Sequence, residues 1–88
     1  MRFWVKQFKD NRMLADTTIE DFSTNSRTQK VFNALEEACL QFDLSKPIWL
    51  SSNINDFKKN AKTRFTKDSF IDEVNFDYLE FHVLEEDY

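Results

Sequence analysis

The chain has 88 residues, of which 41% are hydrophobic, and its 16 acidic and 12 basic residues give a net charge of −4. This length suits one domain with a single core, and ten Phe and two Trp supply the apolar volume that the core needs. Disorder and a membrane-spanning helix are disfavoured, because apolar residues are spread along the chain and no apolar run approaches about 20 residues.

The N-terminal region predicts a β-hairpin with strands from Phe3 to Lys9 and from Met13 to Ile19. Its turn falls at Asp10-Asn11. The chain contains no glycine, and Asp and Asn are the residues that next best tolerate a positive φ. We therefore expect this pair to close the hairpin.

The two faces of the predicted hairpin are both partly apolar. Turns of two and of four residues give the same pairing, which groups seven side chains on one face: Trp4, Lys6, Phe8, Met13, Ala15, Thr17 and Ile19. We expect that face to contact the core. The other face carries Phe3, Val5 and Leu14, and it is either an exposed interaction patch or covered by later segments of the chain.

The strongest helix signal in the chain begins at Ser26, which with Gln29 has the spacing of a capping box. Apolar residues then recur at three- and four-residue steps, namely Val31, Phe32, Leu35, Ala38, Cys39 and Phe42. The spacing predicts an amphipathic helix from about Arg27 to Asp43. Pro47 prevents it from continuing much further.

The middle of the chain predicts shorter elements. Residues 48–50 have the pattern of a short buried strand, and Asn53 or Ser52 can cap a two-turn helix. The inner face of this short helix is expected to carry Ile54, Phe57 and Ala61. Residues 63–66 predict another short strand, whereas 67–75 have an ambiguous periodicity.

A strand is predicted from Phe76 to Glu85, at the end of the chain. Leu79, Phe81 and Val83 alternate with a second set of side chains, and the two sets lie on opposite sides. The second set is Tyr78, Glu80, His82 and Leu84. Together the elements predict an α+β fold, with an antiparallel or mixed sheet of about four strands, the long helix on one face and a second short helix. All 88 residues are expected to form one domain.

Several kinds of chemistry have no support in this sequence. Without glycine there is no phosphate-binding P-loop, dinucleotide fingerprint, nucleophile elbow or EF-hand loop. One Cys and one His cannot form a zinc site of the usual kind. Carboxylates for Mg²⁺ or Ca²⁺ are present without a diagnostic spacing. We predict no catalytic residue, no metal site and no cofactor.

Cys39 and His82 form the single Cys–His combination that the chain offers for nucleophilic catalysis. Cys39 lies on the apolar stripe of the long helix. Buried thiols in such positions usually act as small hydrophobic groups with a raised pKa, so we expect a packing role. His82 is expected to be half-exposed on its strand.

The net charge conceals an uneven distribution along the chain. Residues 1–67 have a balance of +4, and residues 68–88 have eight acids and no Lys or Arg, which gives −8. Five cations with no acid among them come just before the acidic region: Lys58, Lys59, Lys62, Arg64 and Lys67. Their anion is the chain's own acidic strand, another protein or nucleic-acid phosphate.

The preferred interpretation is a non-catalytic protein-interaction or regulatory module that is able to form a homodimer. Its predicted interaction residues are Lys58, Lys59, Lys62, Arg64, Lys67, Phe3, Val5, Leu14, Glu80 and Glu85. The alternative is nucleic-acid binding through the basic segment 58–67, with Phe65 available for stacking, or nucleic-acid mimicry by the acidic segment 68–88. The pI of 4.9 opposes phosphate binding.

Four short segments carry a resemblance that covers nearly the whole chain. They are Asp10-Asn11-Arg12-Met13, Pro47-Ile48-Trp49-Leu50, Thr63-Arg64-Phe65-Thr66 and Asp77-Tyr78-Leu79-Glu80. The chain resembles a group of small bacterial cytosolic proteins with no assigned activity. The resemblance implies the bacterial cytoplasm and no ligand or active site. A cytoplasmic location also agrees with the single cysteine and with Lys6, which interrupts any N-terminal apolar stretch.

Overall fold

A computed structural model describes residues 1–87 of the chain. In chain order its elements are β1 (Arg2–Lys9), β2 (Arg12–Glu20), α1 (Arg27–Gln41), α2 (Ser51–Asn60), β3 (Lys62–Thr66), a single 3₁₀ turn (Lys67–Ser69) and β4 (Tyr78–Glu85). The four strands form one antiparallel sheet with the order β2-β1-β4-β3. The predicted α+β fold with a long and a short helix is confirmed.

The hairpin turn is formed by the predicted residues. Asp10 and Asn11 have φ values of 52° and 64°, and both lie between paired residues Lys9 and Arg12. Two consecutive residues with positive φ are the requirement of a type I′ turn, whose twist matches that of the flanking strands. Asp and Asn therefore perform the role that glycine has in many hairpins.

A β-bulge next to this turn changes the predicted arrangement of the two faces. Phe8 pairs with Met13, but Gln7 pairs with Ala15, so Leu14 is an extra residue in β2. Because side chains alternate strictly along a strand, one extra residue moves all later side chains of β2 to the opposite face. Thr17 and Ile19 consequently lie beside Val5 and Phe3, and the predicted grouping of Ile19 with Trp4 is wrong.

Both helices pack on the face of the sheet that carries Phe3 and Val5. The core is made of these two residues and, among others, Ile19, Val31, Ala34, Leu35, Ala38, Cys39, Phe57, Phe65, Leu79, Phe81 and Val83. Phe3 and Val5 are fully buried, so of the two alternatives for their face the covered one is correct, and the assignment of these two residues as interaction residues is wrong. The expectation that the Trp4 face contacts the core is wrong for the same reason.

Helix α1 begins close to its predicted position. The Ser26 hydroxyl accepts a hydrogen bond from the backbone N–H of Gln29 at 3.2 Å, as an N-cap does. The second half of the capping box is absent, because the Gln29 side chain donates to Asn33 instead. The helix ends at Gln41, two residues earlier than predicted, and Asp43 follows with a φ of 56°.

Residues 48–50 are extended but do not form the predicted strand. Ile48 donates its backbone N–H to the carbonyl of Ser69 at 2.7 Å, and the segment has no ladder to any strand. The ambiguous segment 67–75 is the 3₁₀ turn followed by irregular chain. It is held to the core by Phe70, whose ring lies 5.4 Å from that of Phe76 in a T-shaped contact.

Helix α2 is held to β3 by Asn53. The side chain of Asn53 is buried, donates to the Thr63 hydroxyl and the Arg64 carbonyl at 2.9 Å each, and accepts from the Leu50 backbone at 3.0 Å. Asn53 is thus a third-position residue of the helix that bonds back to the N-cap, and not the N-cap itself. At the other end, Ala61 takes the left-handed conformation that stops the helix.

We expect Asn53→Ala to destabilise the fold by about 1–3 kcal/mol, because it removes these hydrogen bonds and leaves buried partners unsatisfied. Asn55→Ala, on the exposed side of the same helix, is the matched control and should change stability by less than about 0.5 kcal/mol. Urea unfolding of both variants measures the difference. Equal free energies of unfolding for the two variants would show that Asn53 does not join α2 to the sheet.

Candidate interaction surfaces

An apolar groove runs between α1 and α2 on the helical side of the molecule. Its volume is about 340 Å³, and it is lined by Arg27, Thr28, Val31, Phe32, Trp49, Ile54, Phe57 and Lys58. Phe32 is 49% exposed and Ile54 is 42% exposed, although both belong to the apolar stripes that the sequence assigns to helix interiors. The groove is therefore an apolar surface that residues 1–87 leave open.

Trp49 lines this groove and contacts other aromatic rings. Its ring makes T-shaped contacts with Phe32, Phe57 and Phe65, at centroid distances of 6.2, 5.4 and 4.9 Å. Edge-to-face aromatic contacts of this kind favour one orientation of the rings. The buried Pro47 and the bond from Ile48 to Ser69 hold the chain that carries Trp49. The groove is thus preformed.

The charged residues at the groove are cationic. The Arg27 guanidinium lies 5.4 Å from the Phe57 ring and donates two hydrogen bonds to Glu86, at 2.8 and 3.0 Å, which lower the pKa of Glu86. Lys58 makes no ion pair with any of residues 1–87. An exposed, unneutralised ammonium group at an apolar groove favours an occupant that carries a carboxylate.

Both helices pack on the Phe3 side of the sheet, and the opposite face has exposed side chains on its outer strands, among them Met13, Asp16 and Arg64. Strand pairing arranges its side chains in rows across β2, β1, β4 and β3. The first row is Met13, Phe8, Tyr78 and Thr66, the second is Asp16, Lys6, Glu80 and Arg64, and the third is Thr18, Trp4, His82 and Lys62. We call this surface the open sheet face.

Glu80 is the electrostatic centre of the open sheet face. Its carboxylate lies 3.1 Å from the Lys6 ammonium, 3.8 Å from the Arg64 guanidinium and 4.0 Å from the Lys62 ammonium. The side chains of Glu80 and Lys6 are only 8% and 12% exposed. Burial of a carboxylate is costly unless nearby cations compensate its charge, and three cations surround Glu80.

The aromatic rings of the open sheet face already contact groups of the same chain. The Lys6 ammonium lies 3.8 Å from the centre of the Trp4 ring, and Arg64 lies 4.6 Å from that of Tyr78. The Tyr78 ring also stacks on Phe8 at 5.2 Å, and the Trp4 indole donates to Asp16 at 2.8 Å. These contacts hold the rings in place and reduce the ring surface that a nucleic-acid base could stack on.

The predicted cationic residues lie on different surfaces. Lys58 borders the groove and Lys59 is exposed on α2, whereas Lys62 and Arg64 lie on the open sheet face. Lys67 is exposed in the 3₁₀ turn. The segment 58–67 is therefore not one continuous basic patch, because a helix, a turn and a strand direct its side chains differently.

Four of the eight acids in the acidic segment 68–88 form ion pairs with cations of residues 1–87 inside the fold. Glu80 contacts Lys6, Lys62 and Arg64 as described, and three further acids each contact a cation: Glu85 with Arg2, Glu86 with Arg27, and Asp87 with Lys30 and the N-terminal amine. The chain's own acidic strand is thus one anion for the basic segment. Leu14, the remaining predicted interaction residue, is 52% exposed at the bulge.

Sequence reasoning did not identify the groove residues as a surface. Phe32 and Ile54 have the helical spacing of core residues, and Trp49 was expected in a buried strand. On the other side, the sequence carries no sign of the bulge at Leu14, so it groups Ile19 with Trp4 and makes the Trp4 face the better core candidate.

Cys39 and His82 lie on opposite sides of the sheet. Cys39 is 1% exposed in the helical layer, and burial raises its pKa to about 11, so the thiolate is scarce at neutral pH. His82 lies on the open sheet face, where partial burial and the ammonium groups of Lys6 and Lys62 hold its pKa below the usual value. The pair cannot act together in nucleophilic catalysis.

Comparison of the chain with models of known protein families, with curated proteins and with solved structures gave no match. The resemblance to bacterial cytosolic proteins therefore stays a prediction. Within residues 1–87, no helix is both long enough and apolar enough to cross a membrane. The same residues contain no group of three His, Cys, Asp or Glu side chains arranged to hold a metal ion.

Proposed function

We propose that this protein is a non-catalytic binding module that holds an apolar segment of a partner protein in the groove between α1 and α2. The observation that carries the proposal is the half-exposure of Phe32 and Ile54 at the edges of a preformed apolar groove. Contiguous apolar surface of this kind is costly in water and is typical of binding grooves. The resemblance and the single cysteine support a cytoplasmic setting.

The chemistry of the groove also indicates the kind of segment that it holds. Helix-in-groove recognition places a few apolar anchors of an amphipathic peptide in the groove and its polar residues at the edges. Lys58 lies at one edge, whereas the second hollow, which continues past Phe32 and Trp49, is lined by both Lys46 and Glu36. The occupant is therefore an amphipathic segment with apolar anchors and a carboxylate near Lys58.

A library of random peptides selected against the purified protein tests this function. We expect the enriched sequences to combine spaced large apolar residues with Asp or Glu. Ile54→Lys should weaken binding of an enriched peptide about tenfold or more, because a charged side chain replaces an apolar residue that lines the groove. The emission of Trp49, measured in a Trp4→Phe background, reports binding at the groove.

Ile71→Lys provides the matched control, since Ile71 is 83% exposed and lies outside the groove. Its peptide affinity should equal that of the parent protein. The proposal is contradicted if no peptide is enriched, or if the two substitutions weaken binding equally. Circular dichroism of each variant establishes that the fold is intact.

Nucleic-acid binding is the second candidate, and it is favoured by the presence of Lys62 and Arg64 beside aromatic rings on the open sheet face. Two features weigh against it. Asp16 and Glu80 lie in the same row as Arg64 and oppose phosphate, and the rings are already in contact with cations of the chain. Nucleic-acid mimicry has less support than the charge count of segment 68–88 suggests, because Glu80, Glu85, Glu86 and Asp87 are paired with cations of the same chain.

A further inference from the structure

The charges in the second row of the open sheet face alternate in sign across the sheet. Strand pairing sets the order as Asp16 on β2, Lys6 on β1, Glu80 on β4 and Arg64 on β3. Read from either edge, the row has opposite charges at equivalent positions. Such a surface is therefore complementary to a second copy of itself. The copy must lie face to face with it, with the β2 edge of one over the β3 edge of the other.

We propose that the open sheet face is the site at which a second copy of this chain docks, about a two-fold axis parallel to the strands. This two-fold rotation places β2 of one copy over β3 of the other. Each row of side chains then lies opposite the same row of the partner. Asp16 then faces the partner's Arg64, and Lys6 faces the partner's Glu80. The strands of the two sheets stay aligned, as in the aligned class of β-sandwich packing.

The other two-fold arrangement that brings the faces together has an axis across the strands. It places each strand over its own copy, so that Asp16 faces the partner's Asp16 and Arg64 faces the partner's Arg64. Like charges in contact oppose association strongly. The charge order therefore selects the axis parallel to the strands.

The rows on either side of the charged row supply apolar contacts in the same arrangement. Phe8 faces the partner's Tyr78, and Trp4 faces the partner's His82. Met13, which is 48% exposed, and the half-buried rings of the face lose water contact in this arrangement. Aromatic residues and methionine are enriched at protein interfaces, and complementary charge fixes their register.

The size of the face fits a small, reversible interface. Four strands spaced by about 4.8 Å, with about five residues each at roughly 3.4 Å, give a face of about 19 by 17 Å. Two such faces have a combined planar area of roughly 650 Å², which the relief of the side chains increases, so the contact belongs to the small, transient class of interfaces. The dimer should therefore dissociate on dilution.

Sedimentation velocity over a protein concentration series tests the dimer, with reciprocal charge substitutions as variants. We expect the unaltered chain to pass from monomer to dimer as the concentration rises. Asp16→Lys and Arg64→Glu should each weaken the dimer about tenfold or more, because each places two like-charge pairs in the interface. Both side chains are exposed in the monomer, and Arg64 is 60% exposed.

Rescue distinguishes this interface from a general loss of folding. An equimolar mixture of the Asp16→Lys and Arg64→Glu variants should form a heterodimer, since each altered side chain meets the opposite charge of its partner. The double variant, with both substitutions in one chain, should form a homodimer for the same reason. Glu36→Lys and Lys59→Glu on the helical side are matched controls and should dimerise like the unaltered chain.

Four outcomes would overturn the proposal, the last of them a different occupant of the face. One is a monomer at every concentration of the unaltered chain. Another is unchanged dimerisation of both single variants. The third is a loss of dimerisation in each single variant that neither the equimolar mixture nor the double substitution restores. If a single-stranded oligonucleotide binds the monomer and Arg64→Glu abolishes that binding, the face belongs to nucleic acid and not to a second copy.

Discussion

Phe81→Ala is expected to cost about 3–5 kcal/mol of folding free energy, the largest effect of any substitution considered. Phe81 is fully buried in the middle of the sheet and stacks on Phe3 at 5.4 Å and on Phe57 at 5.8 Å, with Trp49 edge-on at 6.4 Å. Its removal leaves a cavity where the sheet, α2 and the Trp49 segment meet. Since small domains have about 5–15 kcal/mol in total, much of the stability is lost.

Urea unfolding followed by circular dichroism measures this cost, at a protein concentration low enough to keep the chain monomeric. Phe32→Ala is the matched control. Phe32 is 49% exposed at the groove, so the same change of side chain should cost about 1 kcal/mol or less. Comparable losses for the two phenylalanines would show that the core is not centred on Phe81.

Glu80→Ala is expected to have the second largest effect, about 3 kcal/mol. The substitution leaves the Lys6 ammonium, whose side chain is 12% exposed, without the carboxylate at 3.1 Å. It also removes the anion between Lys62 and Arg64, so that three cations repel one another. Breaking a buried ion pair by removing one partner costs more than the pair itself contributes, because the remaining charge stays buried.

A double substitution separates the cost of leaving one charge buried without a partner from the contribution of the ion pair itself. Replacing both partners, as Lys6→Met with Glu80→Leu, removes the buried charges together and should recover most of the stability lost in Glu80→Ala. Urea unfolding of Glu80→Ala, the double variant and the unaltered chain provides the comparison. If Glu80→Ala unfolds at the same urea concentration as the unaltered chain, Glu80 is not the centre of the charged row.

The two proposed surfaces lie on opposite sides of the sheet, and this arrangement has a functional consequence. Docking through the open sheet face leaves α1 and α2 on the outside of the dimer, so both grooves stay accessible. A dimer with two outward grooves can hold two segments of one partner or two partners at once, which raises the effective affinity without new contacts. Arg64→Glu should therefore leave the affinity for a single peptide unchanged and lower the affinity for a partner that carries two such segments.

Some features of this protein follow from the sequence by itself. The helical spacing of Val31, Leu35 and Cys39 predicts α1, and the alternation in β4 correctly divides Leu79, Phe81 and Val83 from Tyr78, Glu80 and His82. Asp10-Asn11 predicts the hairpin turn. These predictions succeed because each depends on residues a few positions apart, where the backbone period or the local φ preference decides the structure.

Only the tertiary structure decided which surfaces the protein presents. The bulge at Leu14 depends on the pairing of β2 with β1, and it moves Thr17 and Ile19 to the face of Val5 and Phe3. The exposure of Phe32 and Ile54 depends on how far α1 and α2 lie apart on the sheet. The alternating charged row joins residues 16, 6, 80 and 64, which strand order alone brings side by side. Packing of distant segments sets all three features, and no local pattern encodes them.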